Sequence, residues 1–134
     1  MAALDTNVLV RYLVGDDAAQ HAAAAKLVRS AVRAGKTLYV PITVALELEW
    51  VLRSSFGLLK DQVAAHLAAL LAAVELSFES ESAIEIALAH YRKSSAAFAD
   101  CVHIALAHVA GQSPLWTFDR GASNVQSAKL LASV

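Results

Sequence analysis

Four acidic residues stand in apolar surroundings. Asp5 closes Ala2-Ala3-Leu4, Glu47 lies within Val44-Ala45-Leu46-Glu47-Leu48, Asp100 within Phe98-Ala99-Asp100-Cys101-Val102, and Asp119 closes Leu115-Trp116-Thr117-Phe118. Burying a carboxylate is costly unless it is paired, hydrogen-bonded or bound to a cation. No Lys or Arg occupies matching positions, so the expected compensation is a metal. Hard divalent ions such as Mg²⁺ or Mn²⁺ prefer oxygen ligands: a few carboxylates, with water and substrate phosphate in the remaining positions. Such an ion acidifies a coordinated water and stabilises charge developing on phosphorus and on the leaving oxygen. Thr6, Asn7 and Thr117 adjoin the acids and would orient carboxylates or water by hydrogen bonds.

Each acid also has an ordinary explanation. Asp5, followed by Thr6-Asn7, suits the cap of a helix, and taken alone it reads more readily as a cap than as a ligand. Glu47 is expected on the apolar stripe of its helix with Val44, Leu48 and Val51, whereas Glu49 is expected to point away from that stripe with Arg53 as its i+4 surface partner. Asp100 falls near the start of a helix, where the macrodipole favours an anion. That helix is expected to be buried, being apolar nearly all round apart from Asp100, His103 and His108. Asp119 precedes Arg120-Gly121, and a turn or a pairing with Arg120 would also account for it.

Other catalytic sets are poorly represented. The histidines, at positions 21, 66, 90, 103 and 108, are scattered, and His103 and His108 do not share a helix face as a zinc pair would. There is no glycine-rich phosphate loop, and Cys101 sits inside an apolar helix, where a thiol usually only packs. The single cysteine fits a reducing cytoplasm.

Composition narrows the class further. The 134 residues are expected to form a single domain, 57 % hydrophobic and 17 % charged, against about a quarter charged in an average domain. The apolar surplus predicts a partner, a second copy or another protein. The longest apolar stretch, Val63 to Val74, is shorter than the roughly 20 residues that span a bilayer, so no membrane segment is expected; it reads as a buried helix. A net charge of −1 offers no polybasic surface, so any contact with nucleic acid would rest on the metal and a local basic rim. Arg11, Arg53, Arg92, Lys93 and Arg120 are candidates for that rim, Arg11 and Arg120 foremost.

The elements that must position these residues alternate strand and helix. A short buried strand is expected from Ala2 to Asp5, then a helix stopping at Gly15. A second helix opens at Asp17 and is capped by Gly35. Thr37 to Val40 is a strand, Pro41 suits the first turn of a helix ending near Gly57, and another helix covers Lys60 to Ala73. Val74 to Phe78 is a third strand. Ser82 and Glu85 have capping-box spacing for a helix reaching Tyr91. A helix from Ala97 to Ala110 precedes a strand from Leu115 to Phe118. The last segment, Asn124 to Leu131, reads as a helix or partly as a fifth strand. This order predicts an α/β fold of three α/β/α layers around a parallel sheet of four to five strands. Ligands in such folds bind at the carboxyl ends of strands, where Asp5 and Asp119 fall. A phospho-receiver domain shares this layout, but it calls for an acidic pair after strand one and a lysine ending a late strand, and neither is found here.

Leu4-Asp5-Thr6-Asn7-Val8-Leu9-Val10, Glu47-Leu48-Glu49-Trp50-Val51-Leu52, Phe98-Ala99-Asp100-Cys101 and Thr117-Phe118-Asp119-Arg120 resemble, in order and spacing, the signatures of the PIN-domain ribonucleases. Within that family the chain looks most like the VapC toxins of toxin-antitoxin pairs, over essentially its whole length. The resemblance implies a Mg²⁺- or Mn²⁺-dependent endoribonuclease acting on tRNA or rRNA, a homodimer, and a VapB-type antitoxin that blocks the site. It aligns Asp5, Glu47, Asp100 and Asp119 with the family's acidic quartet, and Thr6, Asn7 and Thr117 with its supporting polar positions. Where many relatives carry another acid before the Phe-Ala-Asp run, this chain has Ala96-Ala97. Tuning or substrate contact would change there, with activity retained. A binding module of the same fold without turnover is the main alternative.

Overall fold

A computed structural model describes residues 2–132. By contact density the chain divides into two compact units, residues 1–79 and 80–134.

In the first unit, β1 (Ala2–Ala3), α1 (Thr6–Val14), α2 (Ala18–Arg33), β2 (Leu38–Val40), α3 (Ile42–Ser54), α4 (Lys60–Ala72) and β3 (Leu76–Phe78) follow one another. The strands form one sheet in the order β1-β2-β3, parallel throughout, with Leu38 opposite both Ala2 and Leu76. Aspartate caps start the first two helices. Asp5 accepts the Thr6 N–H and starts α1; Asp17 accepts the Gln20 N–H at 3.0 Å and starts α2. A cap of this kind contributes about 1 kcal/mol. Gly15 and Gly35 close these two helices in the left-handed conformation, with φ of 67° and 64°. That conformation costs glycine nothing and other residues a Cβ clash. Leu38, Val40, Leu48, Leu52, Val63 and Leu67 are buried, each contributing roughly 1.5–3 kcal/mol. The Val63 to Val74 stretch is buried along one face only: Val63, Ala64, Leu67 and Leu70 are inside, while Val74 is exposed.

The second unit contains α5 (Glu81–Lys93), α6 (Phe98–Val109), β4 (Leu115–Thr117), α7 (Arg120–Ser123) and β5 (Ala128–Leu130). β4 and β5 pair in parallel, with Trp116 opposite Lys129. Phe98, Ile84, Ile104 and Val102 are buried here, and Tyr91 meets Phe98 edge to face at 5.3 Å. Such ring pairs add about 1 kcal/mol beyond the area they bury.

The α/β class and the parallel pairing are as expected from the sequence, with the strands forming a three-stranded sheet and a two-stranded ladder. Four details differ. Ala2 and Ala3 are exposed, because β1 is the edge of its sheet; burial begins at Leu4. The capping box at Ser82 does not form. The chain leaves β3 through Ser80 in the left-handed conformation (φ 53°), which starts α5 at Glu81 and puts Ser82 already inside the first turn. α6 is not buried all round, since Ala99, His103, His108 and Val109 are exposed. In the final segment the helical reading gives way to the fifth-strand alternative, β5, preceded by the one-turn α7 that Asp119 caps ahead of the expected start. No helix among the described residues is long and apolar enough to cross a membrane.

Candidate functional site

The premise of four buried carboxylates needs correction. Asp5, Glu47 and Asp119 are exposed and Asp100 is half-buried. Three of the four sit at helix N-termini: Asp5 caps α1, Asp119 caps α7, and Asp100 lies in the first turn of α6. Unsatisfied N–H groups and the helix dipole stabilise an anion there. These acids therefore do not require a cation in order to fold, and their surface position leaves them open to one.

In the first unit Thr6 joins two of the acids. Its N–H donates to Asp5 Oδ1 at 2.8 Å and its hydroxyl donates to Glu47 Oε1, forty-one residues further along the chain. Thr6 itself is only 2 % exposed. One buried residue, through its backbone N–H and its hydroxyl, thus holds the carboxylate that follows β1 and one from the second turn of α3. The other oxygen of each, Asp5 Oδ2 and Glu47 Oε2, accepts no hydrogen bond among the described residues.

Glu47 and Glu49 exchange their expected places. Glu49 is the buried acid, 5 % exposed, and accepts Arg53 Nε at 2.9 Å. The i+4 pairing with Arg53 is as expected, but it lies against the core. The buried stripe of α3 is Val44, Ala45, Leu48, Glu49 and Leu52. α3 is apolar on nearly every side, so Val44, Leu48 and Val51 offered an equally good stripe, and the periodicity alone selects the wrong one.

In the second unit Asp119 Oδ1 accepts the Ala122 N–H at 2.9 Å, and the Asp119 N–H donates to Thr117 Oγ1 at 3.0 Å. Asp119 therefore caps α7 and is not held by Arg120, which is exposed and makes no ion pair among the described residues. A Cβ on Gly121 would lie 3.1 Å from Asp119 Oδ1 and 3.7 Å from Ser95 Oγ. The start of α7 at Gly121 thus lies beside Ser95, just ahead of α6. Neither Ser95 nor the need for a bare α-carbon at Gly121 was evident from residue types; that Gly121, unlike the other glycines, does not follow a helical segment was the only hint.

The remaining candidates are placed as follows. Asn7 is exposed, and with Arg11, Gln20 and Leu27 it lines a cavity of about 320 Å³ between α1 and α2. Arg11 is committed to neighbours, with Nη1 at 2.8 and 2.9 Å from the two Asp16 oxygens and Nε at 2.6 Å from Gln20 Oε1. Arg92 and Lys93 are exposed at the end of α5. Cys101 is buried.

The donor chemistry fits a hard divalent ion. Every candidate ligand offers carboxylate oxygen, and Asp5, Glu47 and Asp119 each keep one oxygen outside the hydrogen bonds that orient them. No group of three or more His, Cys, Asp or Glu able to hold a metal ion occurs among the described residues.

A comparison with curated proteins returns no match. The model of the PIN domain family matches residues 2–127. PIN domains are a nuclease-type fold that generally uses divalent metal ions. With one match running from β1 to the turn before β5, the chain belongs to the PIN domain family.

Proposed function

We propose that this chain is a single PIN domain acting as a metal-dependent endoribonuclease, the toxin of a VapC-type pair, cleaving RNA of the tRNA or rRNA class. The observation that carries the reading is the shared anchoring of Asp5 and Glu47 by Thr6, which spends buried structure on orienting two exposed carboxylates. Asp5, Glu47, Asp100 and Asp119 are the residues that would hold Mg²⁺ or Mn²⁺. When bound, the ion would acidify a water and stabilise charge on the cleaved phosphodiester.

The chain's own residues prepare that chemistry. Thr6 fixes the rotamers of Asp5 and Glu47, and Thr117 fixes the backbone from which Asp119 projects. Asn7, exposed beside Asp5, is available to orient water or a carboxylate. Arg120, exposed and without an ion pair among the described residues, is suited to a substrate phosphate. Arg11 reaches substrate only by leaving Asp16, so it ranks below Arg120.

The partners follow from the same reading: a homodimer, bound in the cytoplasm by a VapB-type antitoxin. Exposed Trp50, Leu59, Val74 and Val109 support the need for partner surfaces. The family match removes the support for a phospho-receiver domain. Sequencing RNA ends after induced expression tests the proposal. Discrete new ends, suppressed by co-expressing a small neighbouring gene, are expected; an unchanged profile of RNA ends would contradict it.

A further inference from the structure

The β4–β5 ladder carries an exposed aromatic surface that the proposed chemistry leaves unused. Trp116 is 55 % exposed and Phe118, two residues on, is 68 % exposed. Lys129 is the cross-strand partner of Trp116, and its ammonium lies 5.5 Å from the indole centroid. Leu131 extends the ladder by donating its N–H to Thr117 O at 2.7 Å. Side chains alternate along a strand, so Leu115 and Thr117, both half-buried, occupy the other side. Leaving two large rings in water forfeits burial free energy, so their position calls for an occupant.

We propose that this surface is a stacking platform for single-stranded RNA, with bases on Trp116 and Phe118 and phosphates met by Lys129 and Arg120. The inference rests on the nuclease reading and deepens it by naming where the substrate strand lies. Rings paired with cations are the chemistry that holds unpaired nucleotides, since every base has a face to stack and every linkage a charge. A duplex keeps its bases stacked inside and offers the rings nothing. Asp119 directly follows Phe118, so a strand held here presents a phosphate next to a proposed metal carboxylate. A second copy of the chain suits the surface less well. Two-fold pairing would oppose Lys129 to its own copy, and neither β4 nor β5 carries an acid to offset that charge.

The chain has two tryptophans, so Trp50→Phe leaves Trp116 as the only indole reporter. In that variant, with chelator present to prevent cleavage, a short single-stranded RNA should quench the emission saturably, and a duplex of the same sequence should do so far less. Phe118→Ala should weaken binding about tenfold. In cleavage assays Trp116→Ala should raise KM about tenfold with kcat nearly unchanged, and Trp116→Phe should restore most of the loss. Cleavage by these variants with unchanged KM and no quenching would overturn the platform and leave the nuclease reading intact. Quenching without cleavage by the unaltered protein would do the reverse. Emission that changes with protein concentration in the absence of RNA would assign the surface to a second copy and overturn the proposal.

Discussion

Thr6 donates its hydroxyl proton to Glu47 across forty-one residues of chain while its N–H holds Asp5. Two exposed carboxylates from different parts of the chain are thereby fixed by one buried residue. Thr6→Val keeps the volume and the N–H but removes the hydroxyl. Stability should fall by about 1.5–3 kcal/mol, the worth of a hydrogen bond to a charged group. Cleavage should fall on the order of tenfold to a hundredfold, as when a residue orienting a metal ligand is lost. Thr6→Ser should recover most of both. Urea midpoints and initial cleavage rates measure the two effects separately.

The two glutamates of α3 should separate function from stability. Glu47→Gln is expected to abolish cleavage with little change in unfolding midpoint, because Glu47 is exposed. Arg53→Ala takes the guanidinium away from a carboxylate that is 5 % exposed. That should cost about 1–3 kcal/mol, with cleavage per folded molecule retained. Denaturation and active-site-normalised rates on the two variants check the assignment; a catalytic loss confined to Arg53→Ala would reverse it.

Gly121 is where the backbone must stay clear of Asp119. A Cβ there would stand 3.1 Å from Asp119 Oδ1, so Gly121→Ala displaces the carboxylate by a few tenths of an ångström. The expected outcome is a loss of cleavage of roughly tenfold, since small misplacements of a reacting group are costly, with little change in melting temperature. Titrating Mn²⁺ against activity should show a higher half-saturating concentration in the variant than in the parent protein.

His90 gives the protein an acid-side weakness. Burial, the nearby charge of Lys93 and that of His108 hold its pKa below the usual histidine value. The unfolded chain therefore takes up the proton first, near pH 6.5. Stability is unaffected above that pH, falls as pH drops below it, and levels off once the folded-state pKa has been passed. Unfolding midpoints measured between about pH 7.5 and pH 5.5 should decline more steeply for the parent protein than for His90→Gln.

Much of this architecture is legible in local chemistry. Asp17 with Gln20, the glycines at 15 and 35, and strand-length apolar runs fix element boundaries by interactions within a few residues, and the structure places them within one or two positions of expectation. Orientation about a helix axis is harder to read. α3 has apolar residues on nearly every side, so only its packing decides that Glu49 faces in and Glu47 faces out. The burial of the acids was misjudged for a related reason: a residue ending an apolar run has already left the layer, as Asp5 and Asp119 do in capping the next helix. The identity of the four acids was accessible because they interrupt apolar runs. The hydrogen bond from Thr6 to Glu47 joins residues forty-one apart, a contact that no spacing reveals.

RNA cleavage by purified protein and by Asp100→Asn, with Mg²⁺ or Mn²⁺ added and then chelated, tests whether these carboxylates hold a catalytic divalent ion. Cleavage should require the ion, stop with chelator, and be lost in Asp100→Asn while that variant keeps the parent's circular dichroism and melting temperature. Equal cleavage by Asp100→Asn, or cleavage undiminished by chelator in protein free of contaminating nuclease, would contradict it.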